Sequence, residues 1–314
     1  MSAAGARPAV SIAILNYQRR DALRRALEAA RAQDHPCEII AVDNASTDGS
    51  VDMVRDEFPD VHLVALPRNI AAAARNEGVA AAKGDIVFTL DNDVLFTAPD
   101  DVERALAVFD RHPTAAVVNF TIVGPDDRVS RRDWCHPRDV EAWGEREFLT
   151  DYVLEGASAC RREAFLATGG YWPPFFIGHE GWDLALRLLD AGHDLVYTPD
   201  VHVRHMVDPT VRPSSRIYYT FTRNAIWVAL RNQPPAGALA SIARDLALMG
   251  FASARAGQLS AYRRGIVDAV RGARAVLATR RPLSRRTRTR LRDIRALRPT
   301  PLARIRRHLR EPLI

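Results

Sequence analysis

Two acidic clusters could do chemistry in this chain, and each sits where an apolar run stops. The run Cys37-Glu38-Ile39-Ile40-Ala41-Val42 closes on Asp43-Asn44-Ala45-Ser46-Thr47-Asp48-Gly49-Ser50, and Ile86-Val87-Phe88-Thr89-Leu90 closes on Asp91-Asn92-Asp93. In an open α/β sheet, ligands bind in the crevice beyond the carboxyl ends of the strands. An Asp-x-Asp at that level suits a divalent cation bridging to the phosphates of a nucleotide. The chemistry indicated is the handling of an activated, phosphate-bearing donor. Each aspartate also has a plainer use, because an Asp at a strand end can cap the next helix. Two such sites on neighbouring strands favour the functional reading.

Such clusters need strands to carry them. Strand-like and helix-like segments alternate from Val10 onward, the pattern of βαβ units and a parallel sheet. Val10 to Leu15 reads as a fully apolar strand, followed by a helix from about Arg19 to Ala32 with Leu23 and Leu27 on one face. The second strand ends at Asp43, and Ser46-Thr47-Asp48 can cap a helix carrying Val51, Val54 and Phe58. A third strand spans Val61 to Leu66, an Ala-rich helix Ile70 to Lys83, and a fourth strand ends at Asp91. Beyond the helix Asp101 to Phe109 and the apolar run Ala115 to Phe120, residues 124–146 show no period. Order returns as a strand at Phe148 to Leu154, a short helix at Arg161 to Ala167, a helix after His179-Glu180-Gly181-Trp182-Asp183, and two short strands at Leu195 to Tyr197 and Val201 to His205.

At 314 residues and 47% hydrophobic composition the chain can bury a sizeable core. Cys37, Cys135 and Cys160 are odd in number, widely spaced and in no metal-ligand pattern, which argues against a disulfide framework and fits a reducing cytoplasm. Neither a leader-like start nor a membrane-spanning stretch is legible, so the expectation is a cytoplasmic protein, soluble or peripheral at the inner face of the membrane. The formal charge of +6 hides a division: residues 250–314 hold 18 Arg against Asp268, Asp293 and Glu311, a net of +15, which leaves about −9 for residues 1–249.

The succession of motifs resembles the family 2 glycosyltransferases with a GT-A fold, across roughly Val10 to Pro235. The matching stretches are Asn16-Tyr17-Gln18-Arg19, Val42 to Gly49, Arg68-Asn69, Ala74 to Gly78, Gly84-Asp85, Asp91-Asn92-Asp93, Glu155-Gly156-Ala157, Gly169-Gly170-Tyr171, the helix start at Glu180, His205 and Arg223-Asn224. The resemblance implies an α/β, Rossmann-like, mostly parallel central sheet flanked by helices. It divides the chain into a donor-binding half (1–124), an acceptor and catalytic half (125–235) and a basic helical extension (236–314). It also implies roles. Asp43 would bond the base or ribose of a nucleotide diphosphate sugar, with Asn16 and Tyr17 closing over it. Asp91 and Asn92 would lie near the ribose and diphosphate, with Arg68 and Asn76 flanking the diphosphate or sugar. Asp93 would ligate Mg²⁺ or Mn²⁺, with His205 closing that metal site. His205 equally fits an ordinary core or surface histidine. The implied reaction is an inverting transfer to a hydroxyl acceptor.

That reaction needs a base, and in the family it is commonly the Asp of a Glu-Asp pair followed two residues later by another Asp. Here the stretch reads Glu180-Gly181-Trp182-Asp183, so Gly181 stands at the usual base position. Glu180 is the expected base, with Asp183 and His179 as alternates. Trp172, Phe175 and Phe176 read either as an acceptor-side wall or as loop packing. In the tail, Leu239, Ile242, Leu246 and Met249, then Leu291, Ile294 and Leu297, then Leu302, Ile305 and Leu309, recur at helical spacing between arginines. Such helices either pack on the acidic body or lie on an anionic membrane surface; nucleic acid is not expected, since aromatic residues are almost absent there. Two rivals remain. A nucleotidyltransferase would want a Gly-rich loop after the first strand, which Asn16-Tyr17-Gln18-Arg19 lacks. A catalytically silent, donor-binding scaffold draws on Gly181.

Overall fold

Apolar runs buried on both faces build the first strands, as parallel strands covered by helices require. The computed structural model of the chain describes residues 8–124, 126–206 and 214–299. The first half contains β1 (Val10–Asn16), α1 (Arg20–Arg31), β2 (Glu38–Asp43), α2 (Ser50–Glu57), β3 (His62–Ala65), α3 (Ala74–Ala81), β4 (Ile86–Asp91), β5 (Val94–Phe96), α4 (Asp101–Arg111) and β6 (Ala115–Val123). The second contains α5 (Val140–Trp143), β7 (Phe148–Leu149), β8 (Ala157–Arg161), α6 (Arg162–Ala167), α7 (Glu180–Asp190) and β9 (Asp194–His205). Four helices follow: α8 (Ser215–Asn232), α9 (Pro235–Arg255), α10 (Leu259–Ala278) and α11 (Arg285–Ile294).

One sheet holds all the strands, in the order β3-β2-β1-β4-β8-β6-β9-β5, with β7 also on β9. The first four in that order are parallel. Beyond β4 the expected parallel pattern gives way: β8 runs against both β4 and β6, β6 and β9 are parallel, and β5 and β7 run against β9. The period-2 alternation of side chains then assigns two cores. Ile12, Ile14, Phe88 and Phe120 pack on one face with α1 and α4, while Ala13, Ile40 and Val42 pack on the other with α3, α6, α7 and α8.

Three local expectations are corrected. The strand read at Phe148 to Leu154 is only the two-residue β7, and the central strand is Ala157–Arg161. Its small residues suit the slot between larger neighbours, Ala159 lying opposite Phe88 on one side and Val118 on the other. The helix read from Ile70 begins as a 3-10 turn at Ala71–Ala73, because the Asn69 side chain accepts from the Ala71 N–H at 2.8 Å. The two late strands are one, β9, whose pairing with β6 shifts register between Asn119 and Thr121.

The described tail packs on the body. α10 lies on α8, with Gly265 close to the Tyr219 carbonyl, and α11 folds back so that Leu291 and Ile294 join the second core. Arg290 donates to the His193 carbonyl at 2.8 Å and Arg295 pairs with Asp151. Leu302, Ile305 and Leu309 lie outside the described residues. No helix among the described residues is long and apolar enough to cross a membrane.

Candidate active site

Strand register gathers the early acidic residues at one level. Asn16 pairs with Asp43 across β1 and β2, and Leu15 pairs with Asp91 across β1 and β4. A cleft of about 530 Å³ opens at this edge, lined by Tyr17, Arg75, Asp91, Asn92, Asp93, Glu155 and Glu180 among others. It is the crevice beyond the strand carboxyl ends that an α/β sheet offers to ligands.

The floor is a buried amide and carboxylate network. Asn16 Nδ2 donates to Asp43 Oδ1 at 2.9 Å and to Ser46 Oγ at 3.2 Å, and its Oδ1 accepts from Asn92 Nδ2 at 2.7 Å. The other Asp43 oxygen accepts from the Ser46 N–H at 2.8 Å. Asn16 and Asp43 are buried at 0% and 2% exposure, and in this network they brace the loop between β2 and α2 and hold Asn92. Asn44 does similar work, accepting from the Ile70 N–H at 2.8 Å and bonding Asn69 at 3.0 Å. Asn76 exchanges hydrogen bonds of 2.8 Å with the Tyr171 backbone, and Arg68 is exposed; neither lines the cleft. The cleft arginine that meets Asp91 is Arg75, one position before Asn76.

Asp91 sits tight against β8. A Cβ on Gly156 would stand 2.3 Å from the Asp91 carboxyl, so only glycine permits this approach. Arg75 remains charged although burial opposes it, because Asp91 and, farther off, Glu155 and Glu180 surround it. Asp93, in the turn before β5, pairs with Arg19 and stands 3.6 Å from His205 Nε2. The β5–β9 pairing that sets Val94 opposite His205 brings them together. His205 Nδ1 lies 3.2 Å from Asp133 Oδ1. Burial opposes the imidazolium, but Asp133 and Asp93 outweigh it and push the His205 pKa up to about 9. Among the described residues, no three His, Cys, Asp or Glu side chains converge on one point.

The opposite wall carries two glutamates. Glu180, the first residue of α7, is 5% exposed, and its Oε2 has no hydrogen-bond partner. Burial, and then the neighbouring Glu155, push its pKa up to about 8. Glu155 is raised too, by burial first, and its Oε1 accepts from the Gly181 N–H at 2.7 Å and from the Tyr152 hydroxyl at 3.4 Å. This bond answers one of the free N–H groups at the start of α7. A Cβ on residue 181 would stand 2.2 Å from the Val153 carbonyl oxygen and 2.3 Å from Glu155 Oε1. The Glu155 carboxylate therefore occupies the space a side chain at 181 would need. Sequence reading passed over Glu155 as a carboxylate; its only signal was a glutamate just before a Gly-Ala.

This packing sets an expected outcome for Gly181→Asp. The variant gains no turnover and loses about 1–3 kcal/mol to overpacking. Adding Glu155→Ala recovers part of that loss, a coupling that thermal melts of the four-protein cycle would read; additive losses would contradict the shared space.

The alternates for the base, Asp183 and His179, do not line the cleft. Asp183 is 0% exposed and lies between α7 and α8, accepting from Arg231 Nε at 3.0 Å, Asn232 Nδ2 at 2.7 Å and Arg187 Nε at 3.0 Å. It has no access to the cleft. The His179 ring packs on Phe221 with centroids 5.0 Å apart, and burial lowers its pKa to about 4. Of the three aromatic residues read as a wall, only Phe176 lines the cleft, whereas Phe175 is buried against Trp172.

A family model described as Glycosyl transferase family 2 matches residues 11–168. No curated protein sequence matches the chain. Among solved structures, the chain is similar to the mannosyltransferase PcManGT from Pyrobaculum calidifontis in complex with GDP-Man and Mn²⁺, at 22% identity and a TM-score of 0.55, over 93% of this chain and 85% of that one. It is similar to S. aureus TarS 1–349 in complex with UDP-GlcNAc, at 17% identity and a TM-score of 0.57, over 91% and 89% of the two chains. GalNAc-T7 with UDP, GalNAc and Mn²⁺ is similar at 16% identity and a TM-score of 0.57 over 73% of this chain, which spans 48% of that protein's length. At these identities the likeness is one of fold.

Proposed function

Because the chain belongs to glycosyl transferase family 2, we propose that it moves a sugar from a nucleotide diphosphate sugar to a hydroxyl acceptor, in one displacement that inverts the anomeric carbon. One observation carries this reading: Glu180, whose Oε2 has no hydrogen-bond partner, lines the same cleft as Asp91, Asn92 and Asp93. Donor-side and acceptor-side chemistry then share a single crevice.

Each side chain has a part. Tyr17 and Asn92 hold the nucleotide, and Arg75, next to Asp91, answers the charge that gathers on the diphosphate as it leaves. Glu180 takes the acceptor hydroxyl proton while the oxygen attacks, and a raised pKa makes its carboxylate the stronger base. Glu155 is a positioning residue, holding the N-terminus of α7 and raising the Glu180 pKa by its charge.

Asp93 and His205 fit a divalent cation. A carboxylate and an imidazole nitrogen 3.6 Å apart provide two protein donors once the ion displaces the proton that His205 holds in its absence, and Mg²⁺ is typically bound through one or two carboxylates together with substrate phosphates and water. Such an ion would neutralise charge on the leaving diphosphate. PcManGT and GalNAc-T7 were each solved with Mn²⁺. Contact of the tail with an anionic membrane surface belongs to the same proposal, supported by the exposed Leu239 of α9 and Val267 and Val270 of α10 between arginines.

Calorimetric titration of UDP, GDP and dTDP, with and without Mn²⁺, tests the donor side. One nucleotide is expected to bind, and to lose at least about tenfold in affinity, or ~1.4 kcal/mol, when Mn²⁺ is omitted or Asp93 becomes Ala. If no nucleotide binds to the wild type, the Asp-x-Asp reading is wrong. Binding without turnover of any sugar nucleotide would favour the silent scaffold.

A further inference from the structure

A second cavity, of about 720 Å³, lies between the Pro173-Pro174 segment, α8 and α10. It shares Phe176 and Arg216 with the cleft, so it continues that crevice sideways from the Glu180 wall. Its walls carry Arg216, Arg223 and Arg264 against one acidic residue, Asp268. Asp268 is already engaged, accepting from the Tyr219 hydroxyl at 3.0 Å and from Arg271 at 3.1 Å. Arg223 is held in place: it donates to the Phe175 carbonyl at 2.8 Å and the Pro174 carbonyl at 3.1 Å, and it stacks 4.4 Å over Trp227. Arg216 and Arg264 have no carboxylate partner among the described residues.

Unpaired arginines around a fixed one form a site for an anion, because guanidinium groups match phosphate oxygens in bidentate geometry. Pro173, Pro174 and Phe176 add apolar surface to the same cavity. We propose that this cavity is the acceptor subsite and that it takes a phosphate- or diphosphate-bearing acceptor, whose hydroxyl then reaches Glu180. The inference rests on the transferase reading above and adds the chemical class of its acceptor.

The test separates the two. The wild type is saturated with the nucleotide it binds, in the presence of Mn²⁺, and inorganic pyrophosphate is titrated in by calorimetry. Pyrophosphate is expected to bind the loaded protein and to lose at least tenfold in affinity in Arg264→Glu, a change at an exposed position on α10. In Asp93→Ala the nucleotide binds at least tenfold more weakly, yet an Arg264-dependent pyrophosphate site remains. Failure of nucleotide binding alone therefore strikes the donor reading, not this one. No pyrophosphate binding to the loaded protein, or equal affinity in wild type and Arg264→Glu, overturns the acceptor subsite. A short-chain polyprenyl diphosphate in detergent micelles is the final arm. Binding tenfold tighter than pyrophosphate and sensitive to Arg264→Glu identifies a lipid-carried acceptor, and affinity equal to that of pyrophosphate with the same sensitivity identifies a soluble one.

Discussion

Glu180→Gln is expected to lower turnover by about 10²- to 10⁴-fold, the contribution of a positioned general base, while leaving nucleotide affinity unchanged. The substitution keeps shape and removes only the carboxylate that would take the acceptor proton. The pH dependence follows from the same group. Its pKa is pushed up to about 8, and the reacting form is the carboxylate, so the wild-type rate climbs with pH through that region. Glu155→Gln removes the neighbouring charge and moves the climb to lower pH, although the two glutamates titrate as a pair. A merely structural Glu155 would leave the midpoint in place.

Stability runs the other way. The Glu180 proton is held more tightly in the folded protein than at the ordinary value of 4.5. That stabilisation is complete below pH 4.5 and is lost as pH rises through about 8. Wild-type melts should therefore show a loss of stability between those limits that Glu180→Gln does not share. Rate profiles and melts together decide the matter: a Glu180→Gln enzyme with wild-type turnover sinks the base assignment.

Asp183→Ala has the opposite signature. Its carboxylate answers two guanidinium groups, Arg187 and Arg231, that are 10% and 9% exposed, and removing it leaves both buried and uncompensated. Breaking such a pair costs about 3–5 kcal/mol, which at roughly 2–4 °C per kcal/mol lowers Tm by on the order of 10 °C. The carboxylate does not reach the cleft, so turnover per folded molecule is retained. Melting curves beside initial rates at a temperature well below the transition provide the check. A native Tm with lost turnover would return Asp183 to the reaction.

The two variants separate residues that look alike in sequence. Glu180 and Asp183 are three positions apart on α7, both acidic and both almost fully buried. Helical rotation points one into a crevice and the other at α8, and composition carries no trace of that choice. Asn76 and Arg75 make the same point on α3, where the neighbour of the expected residue is the one that meets Asp91. Small residues misled in another way: Ala157-Ser158-Ala159-Cys160 lacks the bulk of a strand signal, yet small side chains are what fit between β4 and β6.

Residue order alone determined where the parallel strands β1, β2 and β4 end, and with that the level of Asp91, Asn92 and Asp93, because strand periodicity and turn chemistry are local. The meaning of Gly181 was not local. Its N–H is taken by Glu155, 26 residues earlier in the chain. Only the packing of the start of α7 against the turn before β8 decides that the missing side chain is replaced by a carboxylate from elsewhere. Burial then decides the protonation of Glu180, since desolvation arises from every element that closes over a group and not from its sequence neighbours.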